Sequence, residues 1–173
     1  MNERDKERLF VDLFTENRER VLRLCRGYLR GADEAEDLFQ EVMVNVWKSL
    51  AAFRGDAKPT TWLYRVAVNT ALLYRGRRKR AASVIRPAGE QPLPDIAHDP
   101  HAAVYDADRL QRLYDAIATL PAEDRLIITL VLDGMSYREI AEVAGITVNH
   151  AGVRISRLKR VLEKRMKDTG HEL

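Results

Sequence analysis

"SYREIAEVAGITVNHAGVRISRLKR", residues 136–160, decides how the rest of the chain is read. Ser136 stands where a helix N-cap belongs, and Ile140, Ala141 and Val143 face one way along the short helix it opens. A small-residue turn centred on Ala144, Gly145 and Ile146 follows, and Thr147 caps a second helix running towards Met166. On that second helix Val148, Ala151, Ile155, Leu158 and Leu162 form one narrow apolar stripe. Two capped helices across such a turn make a helix-turn-helix. The arc opposite the stripe carries Asn149, His150, Val153, Arg154, Arg157 and Arg160. Those side chains suit a DNA major groove: arginines reach phosphates or guanine, asparagine pairs with adenine, and valine touches a thymine methyl. The competing reading is a solvated basic face on a packing helix; the two caps and the tight turn favour DNA.

Upstream, the helical pattern continues. Ala122 to Asp133 reads as a helix closed by Gly134 and separated by Leu120-Pro121 from another with Val104, Leu110, Leu113 and Ile117 on one face. Asp99-Pro100 resembles an N-cap and first helical position for the latter. Before it lies "SVIRPAGEQPLPDIAHDP", with four of the six prolines, which reads as a tether. Towards the N-terminus, helices are predicted from Leu9 to Leu29, stopping at Gly31, and from Asp33 to Leu50. "FRGDAKP" breaks the pattern, and a third helix resumes near Thr60. No strand alternation or internal repeat is present. The predicted fold is all-α: two small helical domains, residues 1–80 and 106–173, joined by a flexible proline-rich linker at 81–105.

At 173 residues, 46% hydrophobic and 32% charged, the composition is that of a folded chain and not a disordered one. No apolar run approaches the ~20 residues of a membrane-spanning helix, and "MNERDKERLF" lacks the apolar core of a signal peptide, so no membrane insertion is expected. A single cysteine, Cys25, lies among Val21, Leu24, Tyr28 and Leu29 at helical spacing; it reads as a buried apolar residue in a protein of the reducing cytoplasm. The net charge of +3 conceals strong segregation. Residues 31–41 carry −5, residues 54–80 carry +7, residues 81–108 carry −4 and residues 136–167 carry +5. Two basic blocks flanking an acidic one suggest a polyanion gripped at two places.

The first basic block is "TTWLYRVAVNTALLYRGRRKR", residues 60–80. On a helical wheel Thr61, Arg65, Asn69 and Gly76 share one face with Trp62 at its edge, while Leu63, Val66, Ala67, Ala71 and Tyr74 fill the other. The polar face leads into Arg75, Arg77, Arg78, Lys79 and Arg80. Arginines attract phosphates, and an asparagine beside an aromatic ring suits unstacked bases better than a closed duplex; the plainer reading makes Trp62 core. The acidic helix sorts differently. Leu38, Phe39, Val42, Met43, Val46 and Leu50 form its buried side, and Asp37, Gln40, Glu41, Val44 and Lys48 share the exposed one. An acidic face with an exposed valine suits a protein partner offering basic and apolar groups, unless it is simply solvated.

"AEDLFQEVMVNVWKSLAAFRGDAKPTTWLYRVAVN" followed by "LPAEDRLIITLVLDGMSYREIAEVAGIT" resembles the extracytoplasmic-function sigma factors, the compact bacterial class that retains only regions two and four. The resemblance covers nearly the whole chain outside the linker. It implies that Asp37 to Leu50 binds the clamp helices of the β′ subunit of core RNA polymerase. It further implies that the loop Phe53 to Thr61, with Arg54 and Lys58, and the helix from Trp62 to Asn69 melt and read the −10 promoter element. Tyr137 to Ser156, with Tyr137 and Arg138 at its start, would read the −35 element beside the β flap. Extruding a base costs a few kcal/mol of lost stacking, which a polar and aromatic helix face can return. Linking two weak sites would raise the affinity for one promoter through effective concentration. Two positions depart from the family's pattern. Leu73 stands four residues after Asn69, where an acid is common, and Asn149-His150-Ala151-Gly152-Val153 replaces the usual recognition-helix start. The short tail after the helix-turn-helix leaves no room for an appended regulatory domain, so the resemblance implies control by a separate anti-sigma factor.

Two other classes compete. A helix-turn-helix regulator that is not a polymerase subunit would account for the second domain and leave Asp37, Glu41 and the Trp62–Asn69 face idle. An enzyme is disfavoured: no phosphate-binding glycine loop, catalytic Ser/His/Asp set or metal cluster is evident, and no cofactor is expected. His98 and His101 near Asp95 and Asp99 read as solvated tether residues, not as metal ligands.

Overall fold

The computed structural model describes residues 2–29, 32–82 and 104–168. The predicted tether, the Asp99-Pro100 cap and His98 and His101 lie outside the described residues. Seven α-helices and one 3-10 turn account for the described regular structure, with no strand among the described residues.

Helix α1 (Glu3–Tyr28) begins six residues before the predicted start. The backbone N–H of Asp5 donates to Asn2 Oδ1 at 2.8 Å, and Glu3 and Asp5 complement the positive end of the helix. A cap and a favourable dipole thus extend the helix through residues that have no apolar period. Helix α2 (Ala32–Ser49) tightens into the 3-10 turn Leu50–Ala52. Helix α3 (Pro59–Ala82) starts on a proline, which needs no N–H in a first turn, and runs into the stretch read as linker. Val21, Leu24, Leu38, Val42, Leu50, Leu63 and Ala67 are each at most 1% exposed and form the core of this first bundle.

The second bundle comprises α4 (Val104–Ala118), α5 (Ala122–Leu132), α6 (Tyr137–Ala144) and α7 (Val148–Asp168). Ile140, Ala141, Ala151, Ile155 and Leu158 pack inward against Leu126, Ile127 and Leu130. The two bundles are not separate beads. Helix α1 lies on α5 and α3 lies on α6, and the buried residues of both halves join into one apolar cluster.

Polar groups lock this seam. Arg125 on α5 donates from Nε to the Gly27 carbonyl at 2.6 Å and from Nη2 to the Tyr28 carbonyl at 2.7 Å. Its Nη1 reaches the Leu120 carbonyl at 2.7 Å. Asp133, at the end of α5, accepts from Tyr64 Oη at 2.7 Å and from Arg23 Nη2 at 3.0 Å. Burial, with the hydrogen bond to Asp133, pushes the Tyr64 hydroxyl well above its ordinary range.

Candidate nucleic-acid and protein interfaces

The helix-turn-helix is built by local chemistry. Ser136 Oγ accepts from the Glu139 N–H, and the Ser136 N–H donates to Glu139 Oε2 at 2.9 Å, closing a capping box. Helix α6 leaves through Gly145 at φ 66°, a conformation that costs other residues a Cβ clash. The Ile146 N–H returns to the Ala141 carbonyl at 3.0 Å, and Thr147 Oγ1 accepts from the His150 N–H at 3.2 Å. These caps set the recognition helix α7 with Asn149, His150, Val153, Arg157 and Arg160 exposed, and with Tyr137 and Arg138 exposed at the start of α6.

Two expectations for α7 need correction. Val148, placed in the apolar stripe, is 50% exposed and belongs to the outer surface. Arg154, placed in the DNA arc, turns inward: its Nε and Nη2 both lie 2.8 Å from Oδ1 of Asp124, a buried carboxylate in the first turn of α5. That arginine neutralises a core acid, and its guanidinium is not presented on the recognition face.

The first bundle offers two faces. On α2, Asp37, Gln40, Val44 and Lys48 are exposed, as the wheel predicted, whereas Glu41, placed on the same face, is half-buried beside Arg77. Glu34, Glu36 and Glu41 of the same helix pair with Arg78, Arg26 and Arg77. Asp37 has no ion pair among the described residues. On the loop and α3, Arg54, Lys58, Arg65 and Asn69 are exposed. Trp62 is half-buried, its ring 5.1 Å from that of Phe53. Thr61, read as part of this face, is 3% exposed and belongs to the interior, because it sits at the edge of the stripe where the helix enters the bundle.

Four of the expected promoter cations already hold partners. Arg78 is tied to Glu34 and Arg77 to Glu41, Arg75 reaches Glu123 at 3.2 Å, and Lys58 reaches Glu139 at 2.9 Å. The last two pairs cross between the bundles. The Lys58 ammonium, with help from Ser136, holds the Glu139 carboxyl down at about 2. Beside Asn69 the structure exposes a feature the wheel passed over: Leu72 and Leu73, 42% and 63% exposed. The signal was present, since Leu73 stands where a polar face would be expected to continue.

Residues 13–81 match the family described as Sigma-70 region 2, and residues 110–162 match Sigma-70, region 4. The chain is 32% identical over 171 residues to the RNA polymerase sigma-H factor of Pseudomonas aeruginosa, covering 94% of this chain and 88% of that one. The chain belongs to the extracytoplasmic-function sigma factors of the sigma-70 family. The ECF RNA polymerase sigma-E factor of Escherichia coli K12 is 31% identical over 169 residues, covering 92% of this chain and 87% of its own length. Two solved structures share the fold. The sigma factor RpoE of Bartonella quintana, in complex with the anti-sigma factor NepR, gives a TM-score of 0.71 at 23% identity, over 96% of this chain and 98% of its own. CnrH, in complex with the cytosolic domain of CnrY, gives 0.66 at 21% identity, over 94% and 90%. The region 2 match ends inside α3 and the region 4 match begins inside α4, so the two sigma regions coincide with the two bundles. No described helix of this sigma factor is long and apolar enough to cross a membrane.

Proposed function

We propose that this sigma factor binds core RNA polymerase through the exposed face of α2, with Asp37, Gln40, Val44 and Lys48 as its contacts and Glu41 at the margin. Residues 1–80 form the polymerase-binding and promoter-melting domain, 81–105 the linker and 106–173 the domain for the −35 element. Arg54, Lys58, Trp62, Arg65, Asn69 and the basic end of α3 read the opened −10 element. Tyr137, Arg138, Asn149, His150, Val153, Arg157 and Arg160 read the duplex at −35. The protein works in the cytoplasm as a polymerase subunit and not as an enzyme in its own right. An anti-sigma protein is its natural antagonist, in line with the complexes in which its structural neighbours were solved.

The observation that carries this reading is the division of surface on one bundle. An acidic and apolar face on α2 stands beside a basic and polar face on α3, and a plain duplex-binding regulator would leave both without use. Co-elution with core RNA polymerase on a sizing column tests it. Asp37→Arg with Val44→Asp is the control of choice, because Glu41→Arg would also break the Arg77 pair. Co-elution lost in the double variant, with duplex binding kept, supports the reading. A folded wild-type chain that fails to co-elute at micromolar concentration and low salt refutes it.

A further inference from the structure

We propose that Leu72, Leu73 and Gly76 of α3 form an apolar saddle that reads a thymine in the closed duplex bordering the opened −10 segment. The inference rests on the reading above that Trp62, Arg65 and Asn69 of the same helix serve promoter DNA, and it adds three residues which that reading leaves without a role.

The outward side of α3 is a single stripe. At about 100° per residue, Arg65, Asn69, Leu72, Leu73 and Gly76 fall within about 100° of its circumference. Leu63, Tyr64, Ala67, Val68 and Ala71 are buried on the other side. Along the stripe the chemistry turns from polar at Arg65 and Asn69 to apolar at Leu72 and Leu73, and basic residues resume at Arg77 and Arg78. The two leucines are 42% and 63% exposed and straddle the line from Asn69 to Gly76. An apolar patch thus interrupts a surface that is otherwise suited to phosphates and base edges. Gly76 is a second, independent sign. Glycine inside a helix is the costliest residue after proline, and it is retained where another backbone or a ligand comes close. Nothing within the bundle calls for it here. Its φ is not positive, and a Cβ added there would meet only the end of the Arg80 side chain, at 3.9 Å. The close approach that it permits is from outside the chain.

Direction and chemistry define the occupant. Leu73 follows Asn69 by about one helical turn, roughly 6 Å along the axis, or about two base pairs at ~3.4 Å each. The chain continues from the end of α3 to the bundle that reads −35, so these base pairs lie upstream of the opened segment and are still paired. In the major groove a leucine meets one apolar feature, the C5-methyl of thymine. The other base edges are donors and acceptors, which it would strip of water without offering a partner. Leu72 and Leu73 close on the methyl from two sides, and Gly76 between them keeps the surface of α3 low enough for the groove to reach it. Arg65 on one side and the basic end of α3 on the other fix the register on the phosphates.

Holoenzyme assembled from core polymerase and the full chain tests the saddle on fork-junction DNA, in which an unpaired −10 strand adjoins a duplex whose bordering base pairs are randomised. Selection should enrich a thymine at one duplex position, about two pairs upstream of the opened strand. Replacing that thymine by deoxyuridine, which lacks only the methyl, should weaken binding about four-fold. In Leu73→Gln that penalty should vanish, while the melting temperature and binding to a −35 duplex stay as in wild type. Gly76→Ala should melt higher than wild type and yet bind the selected fork at least about five-fold more weakly. A glycine with a merely structural role would show the first effect without the second. Equal affinity for thymine and deoxyuridine at every duplex position overturns the proposal. A Leu73→Gln holoenzyme that keeps the discrimination overturns it too, as does a Gly76→Ala holoenzyme that binds the fork like wild type. Wild-type holoenzyme that binds a −35 duplex but no fork strikes at the reading of α3 itself, and the saddle falls with it. A fork bound without regard to the methyl leaves that reading standing and removes the saddle alone.

Discussion

Replacing Arg154 by methionine separates a structural arginine from a DNA-reading one. Asp124 is 5% exposed, and Arg154 places two nitrogens at 2.8 Å from one of its oxygens. Removing one partner of a buried ion pair costs about 3–5 kcal/mol, because the remaining charge is stranded. The Arg154 side chain is 28% exposed, so water can reach the vacated carboxylate and the loss falls to about 2–3 kcal/mol. For a chain of this size that lowers Tm by roughly 5–10 °C, at 2–4 °C per kcal/mol. Arg157→Ala, at an exposed position of the same helix, should leave Tm within about 2 °C and weaken −35 duplex binding by about 1–3 kcal/mol. Circular dichroism melts and fluorescence anisotropy, both on the full chain, provide the two readouts. Asp124→Asn completes a double-mutant cycle: it should destabilise wild type but cost little in the Arg154→Met background, where the stranded charge is what it removes. An Arg154→Met chain that melts like wild type yet binds duplex poorly would refute this assignment and return Arg154 to the recognition face.

Gly152→Ala should raise stability by about 0.5–1 kcal/mol in thermal melts, since the added methyl would meet the Tyr137 ring at 3.7 Å, an ordinary contact, inside a helix where glycine is costly. A lower Tm would show that Tyr137 cannot accommodate it. Burial, with Glu36 nearby, pushes the Cys25 thiol up to about 12 from 9.0, so its native reaction with Ellman's reagent at pH 8 should run about a thousand-fold slower than in urea. Because the folded value is the higher one, this contribution to stability is whole below pH 9.0 and is lost as pH rises towards 12. Glu123→Gln with Glu139→Gln removes the carboxylate partners of Arg75 and Lys58 and keeps a capping-box side chain at 139. The salt dependence of binding to a single-stranded −10 oligonucleotide should steepen by about 1.4 in log–log slope, at ~0.7 per phosphate contact. An unchanged slope would show that neither cation touches the strand.

What the sequence disclosed, and what it withheld, divides by distance along the chain. The helix-turn-helix was legible because Ser136, Gly145 and Thr147 act on backbone groups within a few residues of themselves. The outward face of α2 was legible because an apolar stripe leaves only one direction for Asp37, Gln40, Val44 and Lys48. Arg154 misled because a helical wheel sees an arginine on the polar arc and cannot see the acid thirty residues earlier that turns it inward. The early start of α1 was hidden because Asn2 acts through a cap and not through periodicity. Arg125 and Asp133 gave no signal at all, because their partners Gly27 and Arg23 lie about a hundred positions away in the sequence.

Part of the segregated charge is paired within the described residues. Acids of α2 hold Arg26, Arg77 and Arg78, and acids of α5 and α6 hold Arg75 and Lys58. Exposed pairs of this kind contribute about 0–1 kcal/mol each. A polyanion that releases counterions on binding can displace them. The three carbonyl bonds of Arg125 are different: hydrogen bonds from a charged donor are worth about 1.5–3 kcal/mol each, and these sit on the buried side of the seam, which phosphates do not reach. DNA alone can therefore compete for the cations without easily parting the bundles.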